Sequence, residues 1–356
     1  MDKKAKIYVA GHTGLVGSAL VRKLNSLGYT NLVLRSSAEL DLRSQDAVQK
    51  FFAREKPDVV FLAAARVGGI LANNTYRAAF IYDNLMIAAN VINAAYSVGV
   101  QRLLNLGSSC IYPRNADQPL REDSLLTGAL EQTNEPYAIA KIAAIKLCDA
   151  YNRQYGTKFL SAMPTNLYGP NDNFNLETSH VLPGLIRKFI LARLLAEHNH
   201  EALMRDVMAR PLGFGFRAPQ SADDVRAFLQ TVGVTAERVL LWGTGNPRRE
   251  FLHVDDLAEA CVMLIDREPH EIGEMINIGT GKDLTVAELA SMIGETAGFQ
   301  GEIVFDRTHP DGTPRKLLDV SRISALGWKP TIPLRYGIES TIRWYFQTLA
   351  TSPQSA

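Results

Sequence analysis

The chain has 356 residues, of which 46% are hydrophobic, and its formal net charge is +1. Its length indicates two domains, or one large α/β domain with a smaller partner. A charge so close to neutrality gives no electrostatic footprint for nucleic acid or anionic membranes, and we find no apolar run of the roughly 18 residues that a membrane span needs.

The cysteines and the N-terminal residues indicate the cellular compartment in which the protein is expected. Cys110, Cys148 and Cys261 lie far apart without a Cys-x-x-Cys pair, so neither a disulfide framework nor a metal site is predicted. The basic start of the chain passes directly into a short strand, which leaves no room for the apolar core of a signal peptide. We therefore expect a soluble, cytoplasmic protein.

A strand, a glycine-rich turn and a helix open the chain. Residues 6–10 are a predicted buried strand, residues 11–17 have the pattern G-x-x-G-x-x-G, and an amphipathic helix follows. The glycines permit a tight turn and close approach of a pyrophosphate, and the helix N-terminus offers free N–H groups to phosphates. A nucleotide site is predicted, and its residues here are Gly11, Thr13, Gly14, Leu15, Val16 and Gly17.

The second predicted strand, residues 31–34, bears on the choice of cofactor. It ends in an Arg-Ser-Ser tripeptide that begins at Arg35, with no carboxylate at its tip. NAD-selective sites usually place Asp or Glu there, whereas an arginine accommodates the 2′-phosphate of NADP. Arg35 therefore predicts NADP(H), and Asp41 and Leu42 follow where an adenine edge would be met. An ordinary exposed loop arginine is the alternative.

Strands and helices then alternate along the chain. Residues 58–62 and 102–106 are predicted strands, with a helix at residues 80–96 between them. This spacing predicts a parallel, doubly wound sheet, whose ligand crevice lies outside the carboxyl ends of the strands. The candidate cofactor residues at these strand ends are Ala63, Ala64 and Leu106.

Tyr137 and Lys141 form a Tyr-x-x-x-Lys pair at the start of the next predicted helix. Positions i and i+4 share a helix face, so the phenol and the ammonium point into the same space. A nearby cation favours phenolate and lowers the pKa of the phenol, which gives a usable acid or base. Ser108 and Cys110 follow the preceding strand and would converge on the same crevice. The motif alone is weak, because a surface helix with a snorkelling lysine has the same spacing.

Several blocks of sequence resemble one family closely. The glycine turn, Ser108 and the Tyr-x-x-x-Lys pair together resemble the extended short-chain dehydrogenase/reductases. More narrowly, blocks such as Gly-Ser-Ser-Cys-Ile-Tyr-Pro resemble the GDP-L-fucose synthases, which are GDP-4-keto-6-deoxymannose 3,5-epimerase/4-reductases. The blocks are residues 66–70 with 73–76, 107–113, 133–141, 163–170, 249–256 and 311–319. They span nearly the whole chain.

The resemblance implies a Rossmann-type fold, NADP(H) and a reaction in two stages. It carries the family's catalytic set over to Ser108, Tyr137 and Lys141, and its epimerisation pair to Cys110 and His180. The C4 ketone acidifies the C3 and C5 hydrogens, so one group of the pair would remove a proton while the other returns it from the opposite face. Tyr137 would then protonate O4 as hydride reaches C4.

Two features of the residues support the epimerisation pair. Cys110 stands two residues from Ser108, and alternate residues of an extended segment share a face. His180 precedes a predicted helix at residues 182–193, whose electropositive start would lower the pKa of the imidazole. The alternatives are a small buried cysteine and a capping or surface histidine.

The resemblance also assigns the sugar-nucleotide side of the crevice. An arginine fork suits a pyrophosphate and an indole gives a flat apolar wall, although surface charge and a core aromatic are the alternatives. The remaining cofactor candidates are Pro164, Asn166, Leu167 and His180. The substrate-binding candidates are Asn166, Arg187, Lys188, Trp242, Arg249 and Lys316.

The predicted domains are residues 1–170, which bind NADP(H) and carry the catalytic set, and residues 171–356, which form a smaller α/β substrate domain with some segments returning to the first. The sequence departs from the family in two places. His12 and Thr13 stand in the glycine turn where a basic residue is often found, which leaves Arg35 to carry the NADP(H) prediction. Residues 196–238 are an insertion, either a lid that reshapes the pocket or an inert surface or oligomer contact. Within it, the pattern Ser221-x-x-Asp224 predicts the start of a helix.

Four interpretations follow from the sequence. The leading one is an NADPH-dependent epimerase/reductase acting on a GDP-4-keto-6-deoxy sugar. The same chemistry on a dideoxyhexose or a heptose would use the same residues. A hexose 4-epimerase with tightly held NAD would not require the Cys/His pair, and a non-catalytic NADP(H) sensor would not require the Ser-Tyr-Lys set. The resemblance also implies a homodimer formed through helices 80–96 and 137–155.

Overall fold

The computed structural model describes residues 1–217, 219–309 and 311–351. Ala218, which belongs to the predicted insertion, and residues 352–356 of the second predicted domain lie outside the described residues. The described part has an α/β architecture in which a parallel sheet carries helices on both faces. The predicted Rossmann-type, doubly wound fold is confirmed.

The strands alternate with helices along the chain, as the sequence predicts. The strands are β1 (Ile7–Ala10), β2 (Leu32–Val33), β3 (Val59–Leu62), β4 (Arg102–Leu106), β5 (Phe159–Pro164), β6 (Asn166–Tyr168), β7 (Arg238–Trp242), β8 (Arg248–His253), β9 (Ile276–Ile278), β10 (Asp283–Thr285), β11 (Glu302–Asp306) and β12 (Arg315–Lys316). The helices are α1 (Leu15–Ser26), α2 (Gln45–Glu55), α3 (Ile70–Thr75), α4 (Arg77–Ser97), α5 (Glu135–Tyr155), α6 (Val181–Ala196), α7 (His200–Ala209), α8 (Ala222–Thr231), α9 (Val254–Leu264), α10 (Pro269–Ile272), α11 (Val286–Ala297), α12 (Ser321–Ala325) and α13 (Leu334–Thr351).

The main sheet has the strand order β2-β1-β3-β4-β5-β9 in the described residues, and all its pairs are parallel. Its central strands are buried on both faces, which is why they are continuous apolar runs rather than alternating ones. Ile7 pairs with Leu32 on one side and with Val59 on the other. The strand order therefore reverses at β1, and the crevice beside its carboxyl end is the expected ligand site.

Two helical layers cover this sheet. Helices α2, α4 and α5 lie over one face, where the side chains of Phe52, Val91 and Cys148 share one apolar core. Helices α1 and α9 lie over the other face. By length and composition alone α4 is apolar enough to cross a membrane, but half of that stretch is buried inside the fold, as expected of a core helix.

The chain beyond β6 forms a second core and also returns to the main sheet. Strand β9 pairs with β5, and α9 packs in the same apolar core as α1. The remaining segments surround α6, which packs in one apolar core with residues of α11 and α13. Strand β8 pairs in parallel with β6 on one side and with β12 on the other, which forms a small sheet at the edge of the crevice.

The insertion folds as two helices, α7 and α8, that extend this second core. Its buried apolar side chains are Leu203, Val207, Leu212, Val225, Leu229 and Val234. Helix α8 begins with a capping box. The Ser221 hydroxyl accepts the backbone N–H of Asp224, and the Asp224 carboxylate accepts the backbone N–H of Ser221. The helix start predicted from this Ser-x-x-Asp pattern is confirmed.

Candidate active site

The turn between β1 and α1 excludes side chains where a phosphate would approach. Gly11 has φ +80°, and a Cβ there would lie 2.8 Å from the Cα of Ala64. A Cβ on Gly17 would lie 2.0 Å from the carbonyl oxygen of Gly11. Within the described residues the start of α1 has no side-chain cap and no acidic residue in its first turn, so its N–H groups are oriented to receive an anion. This cradle fits a dinucleotide pyrophosphate.

The corner beyond β2 carries a carboxylate that the sequence pattern did not reveal. Glu39 accepts hydrogen bonds from the backbone N–H of Ser36, 2.8 Å away, and from the Ser36 hydroxyl, 2.7 Å away. These bonds, with the charges of Arg35 and His12, hold the pKa of Glu39 below its ordinary value. Arg35 itself donates to the carbonyl oxygen of Leu34 over 2.7 Å. The expectation of a strand tip without a carboxylate is therefore wrong, because Glu39 folds back onto it.

Tyr137 and Lys141 share one face of α5 but interact differently from the prediction. The Lys141 ammonium donates to the carbonyl oxygen of Leu106 over 2.7 Å and lies 5.7 Å from the centre of the Tyr137 ring. Burial lowers the pKa of Lys141 to about 8. Burial also raises the pKa of Tyr137 by more than the hydrogen bond with Ser108 lowers it. The predicted lowering of the phenol pKa is therefore wrong, because burial favours the protonated phenol at Tyr137.

Cys110 reaches the same crevice through a turn. Residues Ser109–Ile111 form a 3₁₀ turn capped by Ser108, whose hydroxyl accepts the N–H of Cys110 over 3.4 Å. The segment is thus not extended, and the argument from alternating residues is wrong even though the thiol does approach Tyr137 and Lys141. Burial raises the pKa of Cys110, while the Lys316 charge and the Ser108 hydroxyl oppose that rise.

His180 is the N-cap residue of α6 and faces the crevice together with Lys316. The residue is exposed, yet the protein atoms around the imidazole lower its pKa, as does the charge of Lys316. The predicted direction is confirmed, although burial rather than the helix end is its main cause. Lys316 acts on both His180 and Cys110. The two candidates for proton transfer therefore share one cationic neighbour.

A buried carboxylate that the sequence analysis missed positions this cation. Glu250 on β8 is fully buried and accepts N–H bonds from Thr280 (2.5 Å), Gly281 (2.7 Å) and Leu318 (3.0 Å). It thereby fixes β12 against β8, where Lys316 pairs in register with Arg249. Glu250 lies inside a block that carries the family resemblance, but a sequence pattern cannot distinguish a buried strand clamp from an exposed charge.

The structure places Arg187 away from the crevice. Its guanidinium is fully buried and pairs with Asp206 over 2.9 Å. Its other donors bind the carbonyl oxygens of Phe174, Pro211 and Arg210. With all five N–H donors used inside the protein, Arg187 cannot receive a sugar nucleotide in this structure. The assignment of Arg187 to the substrate is thus corrected.

The other substrate candidates lie around the smaller sheet. The Lys188 ammonium donates to the carbonyl oxygens of Val232 and Leu240 over 3.3 and 3.2 Å, and burial lowers its pKa to about 8. Asn166 donates to the carbonyl oxygen of Glu250 over 2.8 Å. Trp242 is 62% exposed at the end of β7, and an exposed indole is available to a ligand. Their contacts with substrate stay predictions.

The sheet, the phosphate cradle and the Ser-Tyr-Lys set define a class. They form a dinucleotide-binding enzyme of the short-chain dehydrogenase/reductase type, and the described residues hold no group of three His, Cys, Asp or Glu side chains suited to a metal ion. The NAD dependent epimerase/dehydratase family matches residues 7–208 and 215–279. The chain belongs to this family.

Individual relatives are similar over their full length. GDP-L-fucose synthase 1 of Arabidopsis thaliana is 53% identical over 98% of this chain and 95% of its own. A solved GDP-6-OMe-4-keto-L-xylo-heptose reductase from Campylobacter jejuni is 41% identical with a TM-score of 0.92, covering 98% of this chain and 99% of that one. A GDP-L-fucose synthetase from Naegleria fowleri bound to NADP is 25% identical with a TM-score of 0.79, covering 99% and 98%. The resemblance inferred from sequence is confirmed.

Proposed function

We propose that this protein is an NADPH-dependent enzyme that converts GDP-4-keto-6-deoxy-D-mannose to GDP-L-fucose by 3,5-epimerisation and 4-reduction. The observation that carries the proposal is that Cys110, His180 and Lys316 lie close together beside Tyr137. A 4-reductase or a 4-epimerase needs the Ser-Tyr-Lys set alone, whereas inversion at two other carbons needs a further acid and base. The 53% identity to a GDP-L-fucose synthase supports the same substrate.

Epimerisation would use the thiol and the imidazole on opposite faces of the sugar. The C4 ketone acidifies the hydrogens at C3 and C5, so one group removes a proton and the other returns one from the far side, with inversion. The negative charge that develops on O4 would be stabilised by the hydroxyls of Ser108 and Tyr137, as in an oxyanion hole. The positive charge of Lys316 favours thiolate at Cys110 and the neutral imidazole at His180, the forms that accept protons.

Reduction would follow at C4, where the bound cofactor supplies a hydride. The protonated phenol of Tyr137 would donate its proton to O4, and Lys141 would stabilise the phenolate that remains. The residues proposed to hold NADP(H) are Gly11, Thr13, Gly14, Leu15, Val16, Gly17, Arg35, Asp41, Leu42, Ala63, Ala64, Leu106, Tyr137, Lys141, Pro164, Asn166, Leu167 and His180.

A GDP-keto-heptose is a second candidate substrate. The heptose reductase superposes better than the Naegleria fowleri synthetase, with TM-scores of 0.92 and 0.79 and identities of 41% and 25%. The proton-transfer and hydride steps would be unchanged, because they involve only C3, C4 and C5. The two sugars differ at C6, so the walls of the pocket would select between them.

We also propose a cytoplasmic homodimer. Helices α4 and α5 pack side by side over the main sheet. Large apolar side chains protrude from their outer faces, among them Tyr82 (60% exposed), Ile139 (41%) and Tyr155 (47%). A second copy of this helix pair would cover them by forming a four-helix bundle.

The test is NADPH consumption on enzymatically prepared GDP-4-keto-6-deoxymannose, with products identified by NMR. The wild type is expected to yield the GDP-L-sugar, whereas Cys110→Ser is expected to stall or to give an unepimerised GDP-deoxyhexose. Cys148→Ala, which removes a buried thiol distant from the crevice, controls for general damage. If the wild type binds NADPH without consuming it on this sugar, the assignment to GDP-L-fucose fails, and the GDP-keto-heptose is assayed next.

A further inference from the structure

The segment that carries His180 is held against the residues that connect β3 to α3. It comprises residues 169–180, between β6 and α6, and we call it the histidine loop. The N–H of Gly69 donates to the carbonyl oxygen of Thr178 over 2.9 Å. A Cβ on Gly69 would lie 2.5 Å from the carbonyl oxygen of Ser179, so the loop contacts bare backbone there. One side of the loop is therefore fixed by the cofactor half of the protein.

The insertion holds the opposite side of the loop. Residues 210–217 run between α7 and α8, and we call them the strap. Three hydrogen bonds join strap and loop. They run from Leu176 N to the carbonyl oxygen of Leu212 (3.0 Å), from Asn175 Nδ2 to the carbonyl oxygen of Pro211 (3.1 Å) and from Phe214 N to Glu177 Oε2 (2.6 Å). The strap therefore lies along the loop within five residues of His180.

Gly213 marks the closest approach of strap and loop. It has φ +95°, and a Cβ there would lie 2.6 Å from the Cβ of Glu177 and 2.7 Å from Oδ1 of Asn175. That same Oδ1 accepts the N–H groups of Glu177 and Thr178 over 3.0 and 3.1 Å. A side chain at residue 213 would consequently push on the turn that leads into His180.

Arg187 connects the loop, the strap and the first helix of the insertion. Its Nη1 donates to the carbonyl oxygens of Phe174 in the loop (3.1 Å) and Pro211 in the strap (3.0 Å). Its Nε and Nη2 pair with Asp206 on α7. The whole guanidinium is buried, so its N–H donors would lose their carbonyl acceptors without access to water if either segment moved away.

We propose that the insertion positions His180: the strap fixes the histidine loop so that the imidazole stays in the space it shares with Cys110 and Lys316. This inference rests on the proposed function for the reaction that His180 would serve. Gly213 and Arg187 are positioning residues here, since they act through the loop and not on the substrate.

Two glycines of the strap provide a matched test. Gly213 and Gly215 both have positive φ, +95° and +71°, so alanine strains the backbone at either site. A Cβ on Gly215 meets nothing within 4 Å, whereas one on Gly213 collides with the loop. Both Gly213→Ala and Gly215→Ala therefore strain the backbone in the same way, but only the new methyl group at residue 213 contacts the histidine loop.

Amide hydrogen exchange measures the loop without any substrate. Peptides covering residues 173–181 are expected to exchange faster in Gly213→Ala than in the wild type, and at the wild-type rate in Gly215→Ala. The affinity for NADPH, measured by fluorescence, should be the same in Gly215→Ala as in the wild type, and Gly213→Ala should still bind NADPH, weakened at most by loss of the contact proposed for His180. Equal exchange in the two variants would overturn the proposal, whatever the sugar substrate is.

The second readout is uptake of solvent deuterium by GDP-4-keto-6-deoxymannose, which reports proton transfer alone. Gly213→Ala should slow this uptake by about tenfold or more, and Gly215→Ala should not. The acid limb of the pH profile should also move upward in Gly213→Ala, because burial and Lys316 lower the pKa of His180 and a displaced imidazole regains its ordinary value. A wild type that takes up no deuterium refutes the proposed function. Amide hydrogen exchange alone then tests whether the strap fixes the histidine loop.

Discussion

Two lysines determine the electrostatics of the crevice. Lys141 is buried and Lys316 is half-buried, and removal from solvent lowers the pKa of each. An ammonium in such a site favours a negative neighbour, and both lysines lower the pKa of Cys110 against the effect of its burial. Burial thus favours the protonated thiol, whereas the two positive charges favour the thiolate. This combination suits a group that gives and takes protons in one cycle.

Glu39 is predicted to determine how strongly the protein prefers NADPH. Its carboxylate accepts hydrogen bonds from the backbone N–H and the hydroxyl of Ser36, and the charges of Arg35 and His12 act on it. A 2′-phosphate would compete for these donors against a like charge. Glu39→Gln should therefore tighten NADPH binding by about two- to fivefold, the range of exposed charge interactions, without tightening NADH binding.

Fluorescence titration of both cofactors measures this change. Glu339→Gln, which removes an exposed carboxylate from α13, is the control for net charge. An equal gain for NADH, or the same gain in the control, would show that Glu39 is not part of the 2′-phosphate site.

Between elements, one buried ion pair joins α6 to α7 within the apolar core that the two helices share. Arg187 and Asp206 are both inaccessible to solvent, and the Tyr345 hydroxyl of α13 donates to the same carboxylate. Removal of one partner leaves an uncompensated buried charge. Arg187→Met and Asp206→Leu should each lose about 3–5 kcal/mol of unfolding free energy, and the double variant should lose less than the sum.

Denaturant unfolding of the four proteins completes this double-mutant cycle. An Arg187 that binds substrate directly would instead leave stability unchanged and raise the KM for the GDP-sugar. A cycle that shows simple additivity would thus contradict the structural role assigned to the pair.

The elements were predictable where local patterns decide them. The helix expected at residues 80–96 is Arg77–Ser97, and the Ser-x-x-Asp pattern marks the start of α8 correctly. Contacts between distant segments were not predictable. The bond from Lys141 to the carbonyl oxygen of Leu106 and the enclosure of Arg187 by the strap depend on tertiary packing. The sequence therefore identified which residues gather at the crevice better than it identified what each one contacts.

For the whole molecule, the outer face of α4 and α5 is where the proposed dimer would form. Tyr82 on α4 is 60% exposed, and Ile139 on α5 is 41% exposed. The same helix pair carries Tyr137 and Lys141 on its inner side, so dimerisation would stiffen the element that holds the phenol. An isolated chain would leave this apolar face in water.

Tyr82→Glu tests whether a second copy covers that face. A buried carboxylate on each protomer would be unpaired, so this variant should shift the mass measured by light scattering from dimer to monomer. Tyr336→Glu is the matched control, because Tyr336 on α13 is 56% exposed and far from α4 and α5 in the chain. A wild type that is already monomeric at micromolar concentration, or a dimer that survives Tyr82→Glu, would place the interface elsewhere. Loss of activity in a monomeric Tyr82→Glu variant with intact NADPH binding would show that pairing of the helices supports the catalytic geometry of Tyr137.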